Sequence, residues 1–371
     1  MVAKKELLQF EGVGNFRQVL IMSLLSGHPI VIEEIRTLED DPGLQDAEIS
    51  LLKLIDELTN GTRTKLNETG TRLLFHPGFI IGGEVEHECD VSRSIGYYME
   101  VAVCLAAFSK QKFNLTLNGV THGYSDPSAD TIKHVTMPLC KKLGLHSAEL
   151  KITKRGFSPL GGGQVVFTCN TLTAVKPFQW MDEGKIKRVR GVASCMRMSP
   201  ATNPRVIDTA RGVLNDFLPD VYIYNEHPKG EASGKSPGFS LTLYTESTTD
   251  AVLSVDMPSE AQMLPEDLGK ETVFSLLNQI SQGGCVDSSH QHLVLLYMTL
   301  TQNNVSRVRL GPLTPYTIRF LRNLKKFFGV VFKIDVEKKD VEDVGNKRGI
   351  NATLLLSCVG IGFTNMNRTM T

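Results

Sequence analysis

At 371 residues, with 41% hydrophobic and 22% charged positions, the chain has an ordinary globular composition and a length for which two domains are expected. Lys plus Arg and Asp plus Glu stand at 40 each, so no net field draws nucleic acid and any RNA contact requires a local basic patch. No apolar run approaches the ~18–20 residues of a membrane span, and Met1–Gln9 carries Lys4, Lys5 and Glu6 where a signal peptide is apolar. The seven cysteines (89, 104, 140, 169, 195, 285 and 358) never form C-x-x-C. They suit reduced core thiols, not a disulfide frame or a zinc site.

In chain order, Val19–Leu25 and Pro29–Ile35 read as strand-like or short mixed elements around Ser26-Gly27. A helix follows over Gly43–Leu58, with Leu44, Ala47, Leu51, Leu54, Ile55 and Leu58 on one stripe. Asn60-Gly61 stops it. Thr62–Asn67 and Arg72–His76 form an expected β pair ending at Pro77-Gly78. Tyr97–Phe108 reads as an apolar helix and Lys112–Leu117 as a strand. Asp126-Pro127 is expected to cap a helix running toward Leu143, kinked at Pro138 and ended by Gly144. Glu149–Thr153 and Gln164–Thr168 read as strands around the loop Gly156–Gly163.

Near Gly184 the character changes. Lys185-Ile186-Lys187-Arg188-Val189-Arg190 is a basic strand, and Asn203-Pro204 is expected to cap a helix using Val206, Ile207, Ala210, Leu214 and Phe217. Strands Val221–Tyr224 and Phe239–Tyr244 and a helix over Pro265–Ile280 follow, ended by Gly283-Gly284. This order predicts a small α/β domain over 184–283, inserted between the halves 1–183 and 284–371 of a larger one. The remainder predicts helices near 288–301 and 315–328, strands Val330–Ile334 and Ala352–Val359, and a solvated charged loop over Glu337–Arg348.

Few motifs carry chemistry on their own. Gly230-Glu231-Ala232-Ser233-Gly234-Lys235-Ser236 is one residue short of a P-loop and runs into Pro237 and a strand, so a turn is expected there and not a nucleotide site. Gly161-Gly162-Gly163 could cradle an anion or simply form a turn. His290-x-His292 opens a helix on which residues two apart face different ways, which argues against a metal site. The helix opened by Thr314-Pro315 sets Phe320, Leu321, Leu324, Phe327 and Phe328 against a stripe of Arg319, Arg322, Asn323 and Lys326, with Lys325 alongside. Four cations without an acid make this the leading candidate surface for phosphate or a partner, ahead of Lys185, Lys187, Arg188 and Arg190.

Taken in order and spacing, several segments resemble the RNA 3′-terminal phosphate cyclase family along nearly the whole chain. They are Ile35-Arg36 with Pro42-Gly43-Leu44, Phe75-His76-Pro77-Gly78, Gly119-Val120-Thr121, Arg155-Gly156 with Pro159 through Gly163, and Gly283-Gly284-Cys285-Val286-Asp287. The resemblance implies an α/β (α+β) fold: a large domain of three βαβαββ-type units interrupted by a smaller α/β insert.

The departures bear on activity. Family cyclases attack ATP with the histidine of a His-x-x-Thr motif before the last helix; the matching positions here hold Tyr316 and Arg319. A phenol cannot replace imidazole as a nucleophile that is neutral at pH 7 and also a good leaving group. Glu39 stands at a family arginine, Ala47-Glu48 at a Gln-His pair, His292-Leu293 at an Asp-Gln pair, and Glu11-Gly12-Val13-Gly14-Asn15 at a Glu-Gly-Gly-Gly-Gln opening.

Together with Gly234–Gly238 and the ending Cys358–Phe363, this pattern resembles the cyclase-like branch. That resemblance implies a nucleolar, and so nuclear, factor of the small-subunit processome, without a cofactor. It would be needed for early pre-rRNA cleavages that release 18S rRNA. Its implied partners are a large nucleolar ribosome-biogenesis GTPase, pre-rRNA and a small nucleolar ribonucleoprotein. The alternative is a pre-rRNA endoribonuclease acting through the 319–326 stripe, for which the sequence offers no general base.

Overall fold

The computed structural model describes residues 5–338 and 352–369. Residues 1–4, and residues 339–348 of the expected charged loop, lie outside the described residues. Three four-stranded sheets share one pattern. The first orders Leu8–Glu11, Ile30–Glu33, Leu73–His76 and Arg63–Leu66 side by side. The second orders Gly83–Glu88, Phe113–Gly119, Gly163–Cys169 and Glu149–Lys154. The third orders Gln179–Trp180, Val305–Leu310, Ala352–Val359 and Lys333–Lys338. In each, the first pairing is parallel and the next two are antiparallel.

A parallel pair needs a crossover. Helices Phe16–Ser26 and Ile95–Ala106 supply it in the first two units, and Gln291–Leu300 in the third, after residues 184–283 have intervened. Each unit has a second helix: Asp46–Leu58, a composite one over 129–142, and Pro315–Phe328. The expected three βαβαββ units are therefore present.

The intervening segment builds a fourth sheet from Val221–Glu226, Ile186–Met196, Gly238–Ser247 and Val252–Pro258, with the same parallel–antiparallel–antiparallel pattern. Helices Thr202–Leu214 and Pro265–Gln282 cover one face around Val189, Ala193, Val206, Ala210, Leu241 and Leu276. This cluster is separate from the core the other three units share.

Polar contacts join the two bodies. Buried Asp130 receives Arg155, the His122 ring nitrogen at 2.9 Å and, from the insert, the Ser194 hydroxyl at 3.3 Å. Burial opposes the Asp130 charge, but Arg155 and His122 outweigh it and hold the carboxyl well below its usual range. Asp256 of the insert accepts the Ser128 backbone N–H at 2.7 Å.

Several expectations need correction. Val19–Leu25 is helical, not strand-like: it lies within Phe16–Ser26, buried so completely that no period-3.6 stripe marks it. Asp126-Pro127 is not a cap. Ser128 caps instead, its hydroxyl accepting the Thr131 N–H at 3.2 Å, while Asp126 turns to arginines. Pro138 follows a π-helical turn over Ile132–Thr136, which accommodates a residue that cannot donate within the helix. Asn203 sits inside its helix, which starts at Thr202. Its side-chain N–H reaches the Ala193 carbonyl and Asn225 at 2.9 and 2.7 Å. The strand expected at Val330–Ile334 lies at Lys333–Lys338, and strands Leu8–Glu11, Gly83–Glu88, Val252–Pro258 and Val305–Leu310 were not foreseen.

Candidate functional site

The helix Pro315–Phe328 begins where Thr314 accepts the Thr317 N–H at 3.1 Å and Pro315 supplies a preset φ; it ends at left-handed Gly329. Phe320, Leu324 and Phe327 turn inward. This leaves Tyr316, in the first turn, facing the helix Ile95–Ala106, whose single charged residue is Glu100. The Tyr316 hydroxyl donates to Glu100. The same carboxylate holds Arg17 at 2.9 Å and lies 3.5 Å from the His292 ring nitrogen.

Arg17 also reaches Asp126 at 3.2 Å, and Asp126 takes two further bonds from Arg93 at 2.7 and 2.6 Å. Both guanidinium groups lie over the Tyr97 ring, 4.4 and 4.6 Å from its centre. Arg17, Glu100, Ser288, His292 and Tyr316 line a cavity of about 350 Å³.

The electrostatics follow from this closed arrangement. Burial penalises Arg17, but Glu100, Tyr316 and Asp126 overcome the penalty and raise its pKa. Burial likewise opposes the Glu100 charge, and Arg17 with His292 pulls its pKa below the usual carboxylate value. Burial first, then Glu100, pushes the Tyr316 phenol well up, so it stays protonated and donates. Burial also lowers the His292 pKa against the attraction of Glu100.

A second pair repeats the theme. Arg36, at the unusual φ of 48°, forms a two-pronged ion pair with Glu48 at 2.7 and 2.6 Å and donates to the Gly43 carbonyl at 2.9 Å. Both side chains are about nine-tenths buried. Glu39 stands 3.7 Å from the same guanidinium but is exposed. Arginines 17, 36 and 93 are thus each paired with carboxylates of the chain itself, which offsets the positive charge a phosphate would need.

The expected stripe on Pro315–Phe328 is narrower than its sequence reading. Asn323 does not belong to it: the side chain is buried and donates to Gln18 at 2.9 Å, and Gln18 in turn donates to the Tyr316 carbonyl at 3.2 Å. A buried amide needs such partners, so it turns inward from the edge of the apolar face. Lys326 donates to the Gln9 carbonyl and sits 3.8 Å from the Phe10 ring centre. Arg319, Arg322 and Lys325 remain exposed, and no ion pair joins them to an acid among the described residues.

On the basic strand, Arg188 pairs with Glu246 at 2.5 Å and Arg190 with Asp220 at 2.8 Å, while Lys185 and Lys187 are exposed. The glycine loop is closely filled from the insert. The Lys235 N–H donates to the Gly161 carbonyl at 2.9 Å, and a Cβ on Gly162, whose φ is +81°, would stand 3.0 Å from the Lys235 side chain. The Gly230–Ser236 segment is a short turn docked there, the Ser236 hydroxyl accepting the Leu160 N–H at 3.0 Å.

His290 and His292 enter different networks. His290 bonds Asp287 at 2.6 Å and Thr136 at 2.8 Å, while His292 faces Glu100. Sequence reasoning did not find Arg17, Glu100, Arg93 or Asp126. The one signal for them was a lone Glu in an otherwise uncharged apolar helix.

Comparison with known proteins matches the RNA 3′-terminal phosphate cyclase family model to residues 8–334. Over the full length of both chains, this one is 48% identical to the RNA 3′-terminal phosphate cyclase-like proteins of Mus musculus and Homo sapiens. It is 37% identical to the "rRNA processing protein rcl1" of Schizosaccharomyces pombe, over 98% of each. With its three βαβαββ units and matched span, the chain belongs to the RNA 3′-terminal phosphate cyclase family.

Proposed function

We propose that the protein is an rRNA-processing factor of small-subunit ribosome assembly that lacks RNA 3′-phosphate cyclase activity. The observation that carries this reading is the self-paired cluster. Tyr316, at the family's nucleophile position, is locked as a hydrogen-bond donor to Glu100, and Arg17, Arg36 and Arg93 are neutralised by Glu100, Glu48 and Asp126. Phosphoryl chemistry needs cations and donors free to meet developing charge. The kinship with a protein named for rRNA processing and with cyclase-like proteins supports the same conclusion.

In this reading the protein works in the nucleolus, within the small-subunit processome. It binds the large biogenesis GTPase and lies against pre-rRNA and its small nucleolar ribonucleoprotein during the cleavages that release 18S rRNA. Arg319, Arg322 and Lys325 supply a docking surface. A pre-rRNA endoribonuclease is disfavoured, because Asn323 is withdrawn from the stripe and Lys326 is held by Gln9. Affinity purification of the tagged protein from nuclear extract tests this: pre-rRNA and a large GTPase should co-purify, and incubation with ATP and Mg²⁺ should give no covalent adenylate. Recovery of neither partner, or adenylylation, overturns it.

A further inference from the structure

Away from the Tyr316 cluster, a groove of about 420 Å³ opens where the insert meets the second and third units. One wall is Trp180, with the Lys142 ammonium 4.8 Å from its ring centre. The other is Tyr244 of the insert, 7% exposed, whose ring His134 covers, the ring centres 5.5 Å apart and the planes 11° from parallel. The aromatic surface continues out of the groove along the sheet. Arg190 is in register with Tyr244 on one side and with Tyr222 on the other, so these three share a row on one face. Tyr222 and Tyr224 meet edge to face at 4.7 Å and are 55% and 46% exposed, at the open edge of the sheet.

We infer that this groove and tyrosine edge form a stacking track for single-stranded RNA. For its ligand class the inference rests on the rRNA-processing reading. Tyr222 and Tyr224 expose their rings to water and so can accept any unpaired base, and the adjoining crevice, lined by aromatic side chains with few charges free, suits bases more than phosphates. Arg188 and Arg190 are already held by Glu246 and Asp220, and the Lys142 ammonium donates to the Thr249 and Asp250 carbonyls at 3.3 Å. Stacking therefore dominates, and the affinity for single strands depends only weakly on salt. A duplex, whose bases are already stacked on one another, is excluded.

Trp180 is the only tryptophan of the chain, so its emission reports on the groove directly. Full-length protein titrated with an oligoadenylate of about ten nucleotides should show quenching of this emission, and a duplex of equal length should not compete. The double variant Tyr222→Ala/Tyr224→Ala should bind the single strand about tenfold more weakly or worse, with an unchanged Tm. Tyr222→Phe/Tyr224→Phe should retain binding, because the rings and not the hydroxyls do the stacking. Unchanged affinity in the alanine variant, while pre-rRNA still co-purifies, overturns the track and leaves the rRNA role standing. So does loss of a protein partner without loss of oligonucleotide binding. No binding of any single strand, with no pre-rRNA recovered, overturns both.

Discussion

Tyr316→His is expected to leave the protein without cyclase activity, although it places a histidine where the family resemblance implies the nucleophile. The substitution removes the phenol donor to Glu100. A hydrogen bond to a charged acceptor contributes roughly 1.5–3 kcal/mol, and Arg17 keeps the same carboxylate paired at 2.9 Å, so a loss of about 2 kcal/mol in stability is expected, with a fall in Tm of a few degrees. The imidazole would still face Glu100, which stays paired with Arg17, and Arg17 is in turn held by Asp126. Incubation of Tyr316→His with labelled ATP and Mg²⁺, followed by denaturing electrophoresis, should show no covalent nucleotide. Differential scanning fluorimetry gives the stability arm. Adenylylation by the single variant would refute the reasoning, because it would mean that the self-paired shell still handles phosphate.

Asp130→Asn should destabilise the fold by about 3–5 kcal/mol, measured by urea unfolding, because Arg155 loses its buried counter-charge. Since the folded carboxyl lies below its unfolded value near 4, its contribution is present above that pH and is lost as pH falls below it. The cost of the substitution should therefore shrink in acid. Glu48→Ala strips Arg36 of a buried two-pronged partner and should cost about 3 kcal/mol by the same measurement. Gly234→Ala places a Cβ 2.5 Å from both the Gly156 Cα and the Gly161 carbonyl, so faster limited proteolysis between the insert and the large body is expected. Arg319→Glu/Arg322→Glu should reduce pre-rRNA recovery in the affinity purification and make it less sensitive to salt; unchanged recovery would show that these cations do not meet phosphate.

The sequence made some of this visible and hid the rest for identifiable reasons. Helices with one apolar stripe, such as Asp46–Leu58 and Pro315–Phe328, were legible because solvent on the other face imposes the period. Phe16–Ser26 was not, because burial on every side erases that period and leaves a run that also fits a strand. In Val305–Leu310 basic and apolar residues alternate only over Arg307–Leu310, too briefly to stand out beside its neighbouring helices. Tyr316 could be singled out from motif spacing, but its partner Glu100 lies 216 positions away. No local pattern joins residues that meet only when units two and three close on each other. Asn323 shows the opposite error: helical geometry placed it beside Arg322, and only the tertiary partner Gln18 explains why it turns inward.

That amide pair has a consequence for how the chain is made. Gln18 lies in the first helix and is fully buried, yet both of its side-chain partners belong to residues near 320, 305 positions later for Asn323. While the ribosome is still elongating the middle of the chain, the first unit carries an amide whose acceptor and donor have not been synthesised. A buried polar group without a partner costs on the order of 1–3 kcal/mol, which disfavours sealing the inner face of Phe16–Ser26 before then. The amide finds both partners only once Pro315–Phe328 has been made, so this face of the first helix completes its packing late.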